Sequence, residues 1–332
     1  MGKNVMRFLV HTTSIVAFVF SCCSCNQTVE KKESQKLIEQ PSIHVPEFNS
    51  DSAYAFVNAQ VAFGPRVPNT PAHIKCGDYL IAQLKKWADT VYVQSGTLSA
   101  FDGTSLKFRN IIASFNPEVK NRVLLFAHWD TRPWSDQDTE KKDRPSLGAD
   151  DGGSGVGILM ELARIMHDSK PSVGVDLALF DAEDWGKEGG GPESEDSYAL
   201  GTQYWTKNNH VPNYTALYGI LLDMTGGKNA QFRWEGGSKQ NASFVLDKVW
   251  GAATRLGYSQ YFLYDDGGWV IDDHVYVNRM NIPSIDIIHS DPSNQSGFPS
   301  HWHTHKDNMD VIDKATLKAV GQTLATVLYN EK

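Results

Sequence analysis

Apolar and polar positions change period repeatedly along this chain. Ile158, Leu159, Leu162, Ile165 and Met166 fall on one helical stripe, whereas the next apolar run, "VDLALFDAED", is short and continuous, as a buried strand is. The same reading predicts helices in "SAYAFVNAQVAFG" and "HIKCGDYLIAQLKKWAD", parted by the proline-rich turn "GPRVPNTPA". Strands are expected in "TVYVQSG", "SLKFRNIIASF", "RVLLFAHWD", "YGILLDMTG" and "IPSIDIIH". Further helices are expected in "SYALGTQYWTK", in "ASFVLDKVWGAATRLG" up to its stop at Gly257, and in a closing segment carrying Leu317, Val320, Leu324, Val327 and Leu328. Strands alternating with helices predict an α/β fold: a mostly parallel sheet covered by helices on both faces.

The first residues depart from this pattern. "MGKNVMRFLVHTTSIVAFVFSCCSC" has a basic start, an apolar centre and a close of small residues and cysteines, the build of an export signal. Cys22, Cys23 and Cys25 stand where a bacterial lipoprotein signal places its lipidated cysteine. Residues 1–25 are therefore expected to be a lipoprotein-type signal and 26–45, polar and aperiodic, a tether. Residues 46–332 are expected to form one continuous globular domain. The expected location is the periplasm or an outer-membrane anchorage, with membrane contact only through the lipid. Cys76 is the one cysteine beyond the leader, so no internal disulfide framework is expected.

With 332 residues and 41% hydrophobic content, the chain is long enough for a sizeable core. A net charge of -8 without a basic run gives no electrostatic footprint for nucleic acid.

Candidate chemistry gathers at strand ends. In open α/β sheets ligands bind beyond the carboxyl ends of the strands. "RVLLFAHWD" delivers His128 and Asp130 there, "VDLALFDAED" delivers Glu183 and Asp184, and "YGILLDMTG" delivers Asp223. "ADDGGSG" sets Asp151 at a helix entry, and "SHWHTHKDNMD" supplies His303. So many carboxylates on one rim would repel one another. A divalent cation relieves the repulsion, and a mixed imidazole and carboxylate set favours zinc over calcium or magnesium.

Taken in order and spacing, "HWD", "LGADDGGSGVGILMELAR", "FDAEDWG", "LLDMTG", "DDH" and "HWHTHKDN" resemble the zinc aminopeptidase and glutaminyl cyclase superfamily over roughly residues 50 to 330. The resemblance implies a three-layer α/β sandwich with a central mixed sheet. It also implies a zinc held by Asp151, Asp184 and His303, with Glu183 as general acid/base. Two chemistries are known on that scaffold. In the aminopeptidases, two zincs bridged by the aspartate activate a water, the second using the His128 and Asp223 positions. In the animal-type cyclases, one zinc serves ring closure of an N-terminal glutamine by its own α-amine, and Glu183 would carry the proton to the departing ammonia.

The resemblance favours the cyclase. Trp302 directly precedes the zinc histidine, where the cyclases keep an indole walling a small dry pocket. "DDGGWVIDDHVYV" resembles their glycine pair followed by "DDH", which makes Asp272 the expected holder of the substrate amide, joined by Asp223 through a network of acids. Asp184 departs from the animal enzymes, which have glutamate there. The expected substrates are peptide or protein N-termini, with one zinc per chain for a cyclase and two for an aminopeptidase. "GKEGGGPESEDSYALG" is read as a loop framing the substrate, His274 as a residue orienting groups behind the site, and His301 and His305 as residues that tune or decorate its rim rather than bind metal. His73, His167 and His210 are expected on the surface or on helices, away from the ligands.

Overall fold

The computed structural model describes residues 44–332. The expected signal and nearly all of the expected tether lie outside the described residues. Six strands form the central sheet in the order β1-β2-β4-β3-β5-β8. They are β1 (Thr90–Ser99), β2 (Ser105–Phe115), β3 (Arg122–His128), β4 (Gly174–Phe180), β5 (Tyr218–Asp223) and β8 (Ser284–Ile288). Strands β4, β3, β5 and β8 run parallel, while β1 with β2 and β2 with β4 are antiparallel. The mixed, mostly parallel sheet is thus as the sequence predicts.

Alternate residues of each inner strand feed opposite layers. Leu125, Leu177, Ile220 and Ile285 face a large core shared with helices α1 (Ser50–Val61), α3 (Gly153–Asp168), α6 (Gly236–Arg255) and α8 (Lys314–Asn330). Leu124, Phe126, Ala178, Phe180 and Leu221 face a smaller core that includes Trp205 of α5 (Leu200–Lys207) and Val277 of α7 (Asp273–Asn278). Helix α2 (Pro71–Leu84) caps the sheet near β2 and buries Cys76, Leu80 and Leu84. Burial of each such large apolar side chain contributes roughly 1.5–3 kcal/mol, so this double lining stabilises the sheet from both faces. Among the described residues no helix is long and apolar enough to cross a membrane.

The sequence pattern missed several short elements. Strands β6 (Phe232–Trp234) and β7 (Phe262–Asp266) pair as a small separate sheet, and α4 (Pro192–Glu195) and α7 are each less than two turns long. Helix α6 starts at Gly236 and kinks at Ala242, the residue where the apolar stripe begins. Its first turn, "GGSKQN", is polar and glycine-rich; Glu235 fixes it by accepting from the Gly237 and Ser238 amides at 2.7 and 2.6 Å.

Candidate active site

Because β4, β3 and β5 are parallel neighbours, their carboxyl ends fall on one edge, and the chain reverses its crossing direction on either side of β3. Asp151 enters this edge at the start of α3. The turn needs Gly152: its φ is +81°, and a Cβ there would come 2.7 Å from the Asp130 carbonyl and 2.9 Å from His128 Cε1. Three other residues flanking or forming the rim, Ala182, Met224 and His303, also hold positive φ, of 55°, 47° and 53°. Such conformations are uncommon outside glycine and cluster where the surrounding structure enforces them.

Five of the expected site residues meet around a sixth, Asp151. On one side, His303 Nε2 lies 3.7 Å from Asp151 Oδ2 and 3.3 Å from Asp184 Oδ1. On the other, His128 Nε2 lies 3.1 Å from Asp151 Oδ1 and 3.3 Å from Asp223 Oδ1. In each trio one ligand atom per residue falls within 4.8 Å of the others, as a shared cation requires. Glu183 is close behind, its Oε2 4.0 Å from His128 Nδ1. All of these residues are buried.

The fit to a cation can be tested on unsatisfied atoms. Asp184 Oδ2 is buried and has no hydrogen-bond partner. A bare carboxylate oxygen inside a protein is costly, so this atom, beside a neutral-capable imidazole and a second carboxylate, matches a zinc donor set. Without the cation the cluster holds protons instead. Burial and the nearby Asp272 carboxylate push Glu183 well above the usual carboxylate range. Burial and Asp151 raise Asp223 to about 6, and burial and Asp223 raise Asp272 to about 7. Burial would lower His303, but Asp184 and Asp136 outweigh it and lift the ring to about 9.

A cavity of about 220 Å³ opens over this cluster, lined by Glu183, Asp272, Trp302 and Phe298 among others. Trp302 stacks on the His303 ring, centroids 3.8 Å apart, and Phe298 packs on Trp302 at 4.7 Å. Glu188, Gly189, Gly190, Ser194 and Tyr198 bring the glycine-rich loop into the wall, as the substrate-framing reading expects. Asp272 caps α7 and its carboxylate accepts from the Asp273 amide at 2.6 Å. Trp269 stands on the rim with 72% of its surface exposed.

Several residues have supporting roles that the sequence reading did not assign. Asp130 accepts from the backbone amides of Glu183 and Asp184 at 3.0 and 3.2 Å, and so fixes the strand end that carries both. Asp307 does the same for Asp150 and Asp151, at 2.7 and 3.2 Å. Arg132 and Asp136 stand behind Asp184 and His303. The only signal for them was an unusual density of charge in "HWDTRPWSD" and "HKDN" directly after the ligand motifs.

The remaining histidines divide. His274 is buried against Glu235 at 3.1 Å, and Glu235 also accepts from the Val270 amide on the rim, so the ring does lie behind the site. His301 belongs to neither ligand trio and pairs with buried Asp150 at 2.8 Å, a tuning contact. His73 is on a helix but is no surface residue. It is buried, stacked on Trp129 and 2.8 Å from Asp181. His210 is half-buried, and Trp205 donates to its Nδ1 at 3.1 Å.

Known proteins share this architecture. The chain is similar to a Zn-dependent exopeptidase from Parabacteroides distasonis, at 57% identity and a TM-score of 0.84, covering 87% of this chain and 100% of that one. It is similar to a Bacteroides thetaiotaomicron glutaminyl cyclase at 51% identity and the same TM-score, again over 87% and 100%. The bovine glutaminyl-peptide cyclotransferase is 25% identical over 300 residues, 78% of this chain and 76% of that protein. The model of peptidase family M28 matches residues 110–328. Sheet order, clustered ligands and this match together establish that the chain belongs to peptidase family M28.

Proposed function

We propose that the protein is a glutaminyl-peptide cyclotransferase, converting the N-terminal glutamine of peptides or proteins to pyroglutamate with release of ammonia. The observation that carries this reading is that Glu183, Asp272 and Trp302 line one small cavity beside the ligand trio Asp151, Asp184 and His303. The names of the relatives at 51% and 25% identity support it.

Zinc held by those three residues would supply Lewis-acid polarisation of the γ-amide carbonyl. The remaining work belongs to the chain's own groups. Trp302, backed by Phe298, excludes water and offers one apolar wall to the glutamine side chain. Asp272 accepts a hydrogen bond from the substrate amide. Glu183 takes the proton from the α-amine as its nitrogen bonds to the carbonyl carbon of the γ-amide, then gives it to the departing nitrogen as the C–N bond of that amide breaks. Ring closure is intramolecular, so holding one rotamer supplies most of the orientation.

One zinc per chain is part of the proposal. On the His128 side the imidazole itself bridges Asp151 and Asp223, whereas the unpartnered oxygen lies on the His303 side. A two-zinc aminopeptidase is the second reading, because His128, Asp151 and Asp223 also converge closely enough for a metal. Export with a lipid at Cys22, Cys23 or Cys25 belongs to the proposal on sequence grounds alone.

Purified protein incubated with a Gln-initiated and a Leu-initiated peptide decides between the enzymes. Cyclisation gives loss of ammonia without chain shortening; release of a free amino acid would overturn it.

A further inference from the structure

Arg132 is a fully buried cation to which the reaction above gives no task. It lies in the segment between β3 and α3, and its planar head is shared among four residues. Nε and Nη2 donate to the two oxygens of Asp136 at 3.0 and 2.7 Å. Nη1 donates to Asp184 Oδ1 at 3.2 Å and to the carbonyls of Asp184 and Gly186 at 3.2 and 3.3 Å. Nη2 also reaches Glu188 Oε1 at 3.5 Å, and the guanidinium lies over the rings of Trp134 and Tyr198. Asp136 Oδ1 is in turn 3.2 Å from Nδ1 of His303, the ring nitrogen facing away from Asp151 and Asp184.

We propose that Arg132 is the positioning residue of the metal centre: it sets Asp184 directly and His303 through Asp136, and it ties metal loading to the order of the loop at 186–198. The proposal rests on the reading of Asp151, Asp184 and His303 as the ligands. Two effects oppose each other here. The positive charge repels an incoming divalent ion, while the rigid fork removes rotational freedom from two of its three ligands. Asp136, Asp184 and Glu188 together outnumber the single guanidinium charge, so the geometric effect wins. The fork also suits the shorter aspartate at 184, because it anchors both the carboxylate and the backbone carbonyl of that residue. Gly186, Glu188 and Tyr198 attach the cavity wall to the same guanidinium, so any shift of Asp184 on metal binding reaches the loop.

The test uses the purified chain, with zinc affinity measured by chelator competition. Arg132→Lys keeps the charge and loses the fork, and is expected to weaken zinc by about 10- to 100-fold, the range typical of lost outer partners. Asp136→Asn, which keeps the shape, carries the test if the first variant does not fold, with the same loss expected. Cobalt-loaded variants should also show a shifted visible spectrum. Zinc affinity within twofold of the parent and an unchanged cobalt spectrum would overturn the proposal. Hydrogen exchange should show the amides of 186–198 gaining protection with zinc in the parent and not in Arg132→Lys; exchange in the parent that ignores zinc would overturn the coupling. A parent chain that binds no zinc at all would instead sink the ligand assignment.

Discussion

The two sides of Asp151 look alike as lists of residues and differ as structures. Each joins one histidine and one further aspartate to the shared carboxylate. On the His128 side the ring nitrogen touches both partners at 3.1 and 3.3 Å, so a protonated imidazole can balance them unaided. Burial works against that charge, yet contacts with Asp130, Asp151 and Asp223 hold His128 well above the ordinary histidine range. The His303 side is more open toward Asp151, at 3.7 Å, and leaves Asp184 Oδ2 with no partner. Ligand identity alone therefore does not count metal ions; how closely each imidazole already sits on its carboxylates is what separates the two sides.

The comparison can be broken most sharply at its acid/base. Glu183→Gln should reduce turnover by roughly 10²- to 10⁴-fold, the worth of a positioned proton carrier, while zinc content by elemental analysis stays at the parent level. A fully active variant would remove Glu183 from the mechanism.

Next comes the asymmetry itself. His303→Ala should weaken zinc beyond the roughly hundredfold that outer partners command, whereas His128→Gln should still bind one zinc per chain. Equal loss in both would show that the two sides cooperate in holding metal.

Removing His128 has a further effect on the metal-free protein. Deleting one partner of a buried charged pair typically costs about 3–5 kcal/mol, so thermal melts of zinc-free His128→Gln should fall well below the parent. A matching melt would mean that Asp151 and Asp223 already carry protons there.

The smallest effect concerns pH. The free His303 ring titrates at about 9, so at neutral pH zinc must displace a proton from it. Zinc affinity should therefore rise with pH, by up to about tenfold per unit for one proton, and level off above about 9. Flat affinity between pH 6.5 and 8.5 would contradict a charged His303.

Much of this could be read from the chain because the relevant order is local. An apolar strand that ends in Asp223, or that runs on into Glu183 and Asp184, announces both its element and its edge. The supports were hidden for the opposite reason. Arg132 and Asp136 gain meaning only when the long segment after β3 folds back onto Asp184 and His303, contacts that span 52 and 167 positions of sequence. The burial of His73 on its helix went unread because its partner, Asp181, lies 108 residues away at the end of β4. The small sheet of β6 and β7 is too short for alternation to register, and the polar first turn of α6 depends on the Glu235 cap rather than on periodicity.

The left-handed backbone at Ala182, Met224 and His303 has a consequence for anyone hardening this enzyme against heat. Glycine at Ala182 would relax the main chain there, yet it would also loosen the hinge that aims Glu183 into the cavity. Thermal robustness is better sought in the helices on the far side of the sheet, where rigidity and turnover do not compete.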